Sequence, residues 1–329
     1  MFFEPTGEAF VDGETIYVGS RDGVRAVATT DGTQRWQTDQ DRISLIGATD
    51  TTALYYASFL ESGVYRANLQ TGAVESSSDF GPVGGPPAVT DEVIVVGTDY
   101  NAAGEQENEL VGLSKSGLNE NWSVTEVGRS YTGGIGYGDQ AIVGFGMGDQ
   151  PRIESRDPVT GELNWAVNGY VTAPIRAHED TLYVPIAGDG VELLKIAPDG
   201  TVAWRHLLEE RRATQYVYTA APAFHDGRAY LASYHQLHAL DIQTGEVVWT
   251  AQTDNPLEST PAIVGDYVWV APTASSDEER NRTLLGFEIE TGEQQVQTQF
   301  AASTQGTFEL GSRLGVRMEN QLVAFSVEA

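Results

Sequence analysis

The 329-residue chain has no cysteine. Disulfides, thiolate nucleophiles and Cys-based metal or cluster sites are therefore excluded, while the compartment is left undecided. Lysine is almost missing as well, Lys115 and Lys195 being the only two. No apolar run approaches the ~18 to 20 residues of a membrane-spanning helix. Met1 is followed by Phe-Phe-Glu-Pro, with neither a basic n-region nor an apolar h-region. The protein is expected to be cytoplasmic, or to stand outside the cytoplasm at the cell surface if an upstream export segment has been removed. There is no phosphate-cradling P-loop, no dinucleotide fingerprint in a βαβ setting and no nucleophile elbow.

Cations of both kinds are outnumbered, with 19 Lys plus Arg against 47 Asp plus Glu and a net charge of −28. Such a surface repels nucleic acid and anionic membranes, so neither is an expected partner. High charge leads to disorder when apolar residues are scarce, but 40% of this chain is hydrophobic and its strand pattern is regular, enough to build a core. Carboxylate excess with few lysines resembles the proteins of extreme halophiles, and a haloarchaeal source is the expectation. It predicts partial unfolding in dilute buffer, where carboxylate repulsion is least screened.

What the chain has in quantity is a repeat. Residues 230–249 read Tyr-Leu-Ala-Ser-Tyr-His-Gln-Leu-His-Ala-Leu-Asp-Ile-Gln-Thr-Gly-Glu-Val-Val-Trp. Tyr230 to Ser233 and Leu237 to Leu240 are apolar-rich runs of strand length; Thr244-Gly245 supplies a turn that needs φ > 0, and Glu246 to Thr250 departs from it. Equivalent turns stand at Asp31-Gly32, Thr71-Gly72, Ser116-Gly117, Thr160-Gly161, Asp199-Gly200 and Thr291-Gly292. A second series, Asp12-Gly13, Asp50-Thr51, Asp91-Glu92, Gly138-Asp139, Glu179-Asp180, Asp226-Gly227, Gly265-Asp266 and Gly311-Ser312, marks eight inner hairpins. A strand-only repeat of roughly 40 to 47 residues predicts one all-β domain over 1–329, an eight-bladed β-propeller of four-stranded antiparallel blades. Only seven outer turns are present. The eighth blade is expected to take its outer strand from Met1 to Pro5, so that the N- and C-terminal strands pair, leave no open edge and close a monomeric ring.

Trp36, Trp122, Trp165, Trp204 and Trp249 follow their turns by four or five residues and read as structural docking residues, wedged between blades with an indole N–H that needs an acceptor. Ser76 and Val296 stand near that position in the second and seventh blades, which are expected to pack less well.

The unit formed by a Tyr-containing strand, Ala239-Leu240-Asp241, Thr244-Gly245 and Trp249 resembles the PQQ-like, tryptophan-docking propeller repeat. That resemblance implies one of two branches, the quinoprotein dehydrogenases or non-catalytic scaffolds of the BamB-type outer-membrane assembly lipoproteins. A dehydrogenase would need a quinone stacked between an adjacent-cysteine disulfide and a Trp, a Ca²⁺ held by carboxylate and amide oxygens, and an Asp base. No Cys is present, the repeat accounts for every Trp, and no Asp/Glu/Asn set matches the calcium site. No catalytic, cofactor-binding or metal residue is assigned, and neither pyrroloquinoline quinone nor calcium is expected. The scaffold branch is nearer in size and blade count. A non-enzymatic scaffold for a protein or peptide partner is therefore the first reading; a PQQ-dependent or other small-molecule dehydrogenase and a carbohydrate- or ligand-binding sensor are the alternatives.

Loop lengths say where such a partner would bind. One end of the blades has only two-residue turns, whereas every long insertion (Asp99 to Glu109, Gly146 to Arg152, Thr273 to Arg282, and Arg205 to Thr219) belongs to the other. In the last of these, Arg211 and Arg212 beside Tyr216 and Tyr218 combine guanidinium forks for carboxylates with rigid contact area. Tyr131 and Tyr170 precede inner strands and are candidates for a central funnel, where a small ligand would sit. His235, with His238 and His225 in the same repeat, is a candidate contact; residues three apart on a strand face opposite ways, which argues against a metal pair unless a turn intervenes. Glu105 to Glu109 and Asp277 to Glu279 lack an EF-hand pattern and read as solvated charge. Asn121 and Asn281 fit the glycosylation sequon, the first crowded by Trp122.

Overall fold

The computed structural model describes residues 9–20, 23–38, 44–58, 63–79, 81–98, 107–127, 129–148, 150–188, 190–210, 220–257, 259–272, 282–318 and 321–327. Eight antiparallel sheets follow one another along the chain, without an α-helix among the described residues, and the fold is an eight-bladed β-propeller. Two compact units are distinguished, Met1–Ile175 and Arg176–Ala329.

The first unit holds four complete blades. The first is built from Phe10–Asp12, Thr15–Ser20, Gly23–Ala28 and Gln34–Gln37, and the second from Ser44–Thr49, Ala53–Ser58, Gly63–Asn68 and Val74–Ser78. The third comprises Ala88–Val89, Val93–Gly97, Glu107–Ser114 and Glu120–Val127; the fourth, Arg129–Tyr137, Gln140–Gly148, Arg152–Arg156 and Leu163–Asn168.

In the second unit the fifth blade is Arg176–His178, Thr181–Ala187, Gly190–Ile196 and Val202–Glu210, and the seventh is Ala262–Val264, Tyr267–Val270, Thr283–Glu288 and Gln294–Gln299. The sixth departs from the sequence reading. Its two central strands are one continuous strand, Arg228–Asp241, between Ala223–His225 and Val247–Leu257. The chain bends at Tyr234 without leaving extended pairing, because that residue takes up φ 39°. The eighth blade shows three strands, Thr304–Leu310, Arg313–Met318 and Leu322–Ser326. The expected closing segment, Met1 to Pro5, lies outside the described residues.

Each blade buries its two middle strands and leaves its outer strand half wet. Ala53–Ser58 is buried at every residue, whereas the outer strand Val74–Ser78 alternates between exposed and partly buried. The buried strands read as nearly continuous apolar runs because both of their faces are covered. Tyr17, Tyr55, Tyr183, Tyr230 and Trp269 take the same register position in five blades, opposite Phe10, Ala48, Arg176, Ala223 and Ala262. All five are buried.

One end of the blade is stitched by repeated hydrogen bonds. The amide after the third strand donates to the inner turn in five blades: Thr29 to Glu14 O, Leu69 to Thr52 O, Lys115 to Glu92 O, Ile242 to Gly227 O and Ile289 to Asp266 O, at 2.9–3.0 Å. At the outer turns, side-chain oxygens of Asp31, Asn68, Asp157, Asp199 and Asp241 accept backbone N–H groups two or three residues on. These are Asx turns, the local reason Asp recurs there. Bonds from the Thr244 and Gln243 amides hold the Asp241 carboxyl below the usual carboxylate range.

Candidate partner-binding site

The turn end fixes the scaffold through its indoles. Trp36 Nε1 donates to Leu69 O at 2.8 Å, Trp122 to Pro158 O at 2.8 Å, Trp204 to Ile242 O at 3.2 Å and Trp249 to Ile289 O at 3.0 Å, each reaching the next blade. Each ring lies flat on a turn glycine: a Cβ at Gly72, Gly161, Gly245 or Gly292 would come within 2.5–2.7 Å of the indole. Those glycines stand at φ 71–76°, so they are required twice, once by the left-handed turn and once by the ring. Trp165 occupies the corresponding outer-strand position, opposite Ser155.

Cations reinforce the same seams. Lys195 Nζ donates to Ile242 O at 2.7 Å, the carbonyl that also receives Trp204, and lies 5.7 Å from the Tyr183 ring centroid. Arg228 Nη1 donates to Ile289 O at 3.1 Å, the acceptor of Trp249, while its Nη2 pairs with Glu290 at 2.7 Å. Arg35 pairs with Glu14, Arg66 with Glu75, Arg205 with Glu192, and Arg152 and Arg156 with the fully buried Glu154.

The other end of the sixth blade is built differently. Tyr234 sits at φ 39°, where a bulky side chain crowds the backbone. The His235 ring meets it edge-on at 4.3 Å, and His235 Nδ1 lies 3.2 Å from Thr253 O. Beneath this aromatic turn Ser233 and His238 are buried, 0% and 1% exposed. Ser233 Oγ is 3.0 Å from His238 Nε2 and donates to Glu209 Oε2 at 3.4 Å; His238 Nδ1 is 3.1 Å from Thr250 Oγ1. One proton order satisfies the whole chain: Thr250 O–H donates to Nδ1, Nε2–H to Ser233, and Ser233 O–H to Glu209. Burial first, then the neighbouring His206, brings the His238 imidazole down to about 4, so it is neutral at physiological pH.

This is not the arrangement of a hydrolase. A nucleophilic serine needs an imidazole placed between it and the acid, whereas here the serine lies between imidazole and carboxylate and is shut off from solvent. The polar chain instead ties Glu209, at the end of the fifth blade, to the sixth and holds the Tyr234–His235 turn from below. Glu209 lies in the outer strand Val202–Glu210, so the first part of the expected Arg205 to Thr219 insertion is strand, and residues 211–219 lie outside the described residues. Arg211, Arg212, Tyr216 and Tyr218 lie outside the described residues, as do Asp277 to Glu279, Asn281 and most of the Asp99 to Glu109 insertion.

The remaining candidates lie in the first unit. Tyr131 is 2% exposed, donates its hydroxyl to Pro86 O at 2.7 Å and meets Phe145 edge-on, so its ring is part of the packing. Tyr170 is half-buried beside Gly146. Sequence reasoning missed Tyr234 and Ser233. A positive-φ tyrosine has no one-dimensional signature, and the serine gains meaning only from His238 and Glu209.

The described residues do not fit a quinone–calcium centre. Trp36, Trp122, Trp204 and Trp249 have one ring face on glycine and their N–H on a carbonyl. Trp269 donates to Val264 O within its own blade. Among the described residues no group of three His, Asp or Glu side chains is placed to hold a metal ion.

Comparison with known proteins bears on the fold. Residues 190–326 match the family model described as outer membrane protein assembly factor BamB. No functionally curated protein matches the sequence. BamB from Moraxella catarrhalis has a similar fold, with TM-score 0.74 and 15% identity over 98% of this chain and 94% of that one. So does the dihydro-heme d1 dehydrogenase NirN, with TM-score 0.72 and 16% identity over 96% of this chain and 72% of that one. A europium-containing methanol dehydrogenase gives TM-score 0.69 and 12% identity over 94% and 81%. Identities this low speak for the fold alone, and the fold carries several functions. With its repeated turns and indole-to-carbonyl bonds the chain has the fold of these eight-bladed β-propellers, and residues 190–326 are similar to the PQQ-like repeats of the BamB family model.

Proposed function

We propose that the protein is a non-enzymatic scaffold that binds a protein or peptide partner through the loop end of its blades, with the Tyr234–His235 turn as the described part of the contact. The observation that carries this reading is the contrast within the sixth blade. Its turn end is fixed by the stereotyped Asx turn and docked indole, while its loop end holds a strained aromatic pair over a private polar support. Strain in a bulky residue is retained where the surroundings over-determine it, commonly at a contact site. The match to an assembly factor supports the same class of role.

A photo-crosslinker placed at His235 in the native cell should capture a discrete partner, and one placed at the exposed Gln243 on the turn end should not. Equal labelling from both positions would remove the loop end as the contact.

We further propose that the protein works in a salt-adapted cell. Both lysines lie at seams between blades, leaving a carboxylate-dominated surface. Its unfolding midpoint should rise with potassium chloride well into the molar range, and a midpoint indifferent to salt would oppose the idea.

A further inference from the structure

Within each unit the seams can be compared position by position, because the same β-bulge, one extra residue in the fourth strand opposite the third, aligns them. The fourth-strand residue just after the bulge is Trp36, Ser76, Trp122, Trp165, Trp204, Trp249 or Val296 in successive blades. Ser76 is thus the docking position of the second blade, and its Oγ is buried without a hydrogen-bond partner.

The partner side of that seam has changed with it. In the third blade the turn amide equivalent to Gly72 and Gly161 belongs to Leu118: Leu118 N donates to Ser114 O at 2.8 Å, as Gly72 N does to Asn68 O and Gly161 N to Asp157 O. Leu118 adopts φ 55°, a conformation that a leucine resists, and is 3% exposed. Its side chain joins the core with Ala53, Tyr55 and Val95. Where an indole would lie on a glycine, a strained leucine fills the space from the opposite blade. The bond across the seam is electrostatic: Lys115 Nζ is 3.4 Å from Asp50 Oδ2 and 5.4 Å from the Tyr55 ring centroid, and Tyr55 donates to the same carboxylate at 2.8 Å. At the fifth-to-sixth seam the other lysine adds to an indole; here the lysine stands in for one.

We propose that the outer half of the seam between the second and third blades is a lysine latch, the place where the first unit opens locally and the one whose closure weakens as salt rises. The inner half is shut by backbone packing, since a Cβ at Gly47 would come within 2.6 Å of Pro87. The Lys115–Asp50 pair is partly exposed, at 18% and 26%, and is weakened in part as the Debye length falls from about 10 Å at 0.1 M to about 3 Å at 1 M salt, whereas indole docking is not. Salt therefore stabilises the chain as a whole against its acidic repulsion while loosening this seam relative to its neighbours.

Amide exchange of the full-length protein tests this by NMR, comparing Leu118 with Gly72 and Gly161 after correction for intrinsic rates. Leu118 should exchange at least about tenfold faster than both, a difference of about 1.4 kcal/mol in opening, and the ratio should widen between 0.1 M and 1 M potassium chloride. Equal rates, or a ratio that salt leaves unchanged, would overturn the latch. Lys115→Met should raise the ratio at low salt and abolish its salt dependence. As a constructive counterpart, Ser76→Trp combined with Leu118→Gly should slow exchange at position 118 beyond the sum of the single changes; strict additivity would show that the two positions are not a docking pair.

Discussion

The two ends of the sixth blade are made by the same strands and obey different rules. At the turn end Asp241, Thr244, Gly245 and the incoming Trp204 repeat what other blades do, and the geometry is dictated locally by an Asx turn, a left-handed glycine and a flat ring. At the loop end Ser233 stands where Ser20 and Ser58 stand in the first two blades, but the arrangement of Tyr234, His235, Ser233 and His238 depends on bonds to Glu209, Thr250 and Thr253. Uniformity marks the part that holds the fold. The proposed contact lies where that uniformity is lost.

The contrast is broken most strongly by removing an indole. Trp249→Ala deletes a buried ring and its bond to Ile289 O, and should destabilise by about 3–5 kcal/mol in chemical denaturation. His235→Ala should stay within about 0.5 kcal/mol by the same measurement, as surface changes usually do. If the two substitutions cost the same, the division between scaffold and contact is wrong.

Next comes the pH dependence of the polar support. The folded imidazole of His238 titrates at about 4 rather than 6.5. Between those values the unfolded chain holds the extra proton, so stability should fall as pH drops from 6.5 toward 4, by a few kcal/mol in total. His238→Gln keeps a hydrogen-bonding side chain and cannot titrate; its unfolding free energy should decline less steeply than wild type through this window, by the His238 contribution. The turn end behaves otherwise. Asp241 and Asp157 have folded carboxyls below the usual range, so their contribution is complete above the ordinary carboxylate value and is lost only as pH falls through the lower folded one.

Glycine substitutions sharpen the turn end itself. Gly245→Ala meets both the left-handed backbone and the Trp204 ring at 2.7 Å and should cost about 2–3 kcal/mol. Gly138→Ala has φ 59° with open space around it and should cost only about 1 kcal/mol.

The smallest effect carries the opposite sign. Tyr234→Gly relieves a left-handed tyrosine and should leave stability unchanged or raise it by about 1 kcal/mol, while weakening capture at the loop end. A large loss of stability would mean that Tyr234 is packing rather than contact.

Much of this was legible in one dimension. The two turn series predict eight blades because Asp, Thr and Gly at those spacings act through local hydrogen bonds and a single backbone dihedral, none of which needs the rest of the chain. The docking position was readable for the same reason, Trp following its turn by four or five residues. Local chemistry also misled in one place: Ser116-Gly117 looks like the other turns, yet the left-handed residue is Leu118. The departure arises because no indole arrives from Ser76, and that is a fact about the neighbouring blade.

The sequence by itself determined the all-β repeat, the number of blades, the docking positions and the acidic net charge, since each follows from short-range pattern or from composition. Only the tertiary structure decided what the exceptions mean. It placed both lysines at seams, showed one sharing a carbonyl with an indole and the other replacing an indole, and joined Ser233, His238 and Glu209 under a strained turn. Those relations connect residues 5 to 65 positions apart in the chain, and distances of that kind are set by how blades pack, which no local pattern records.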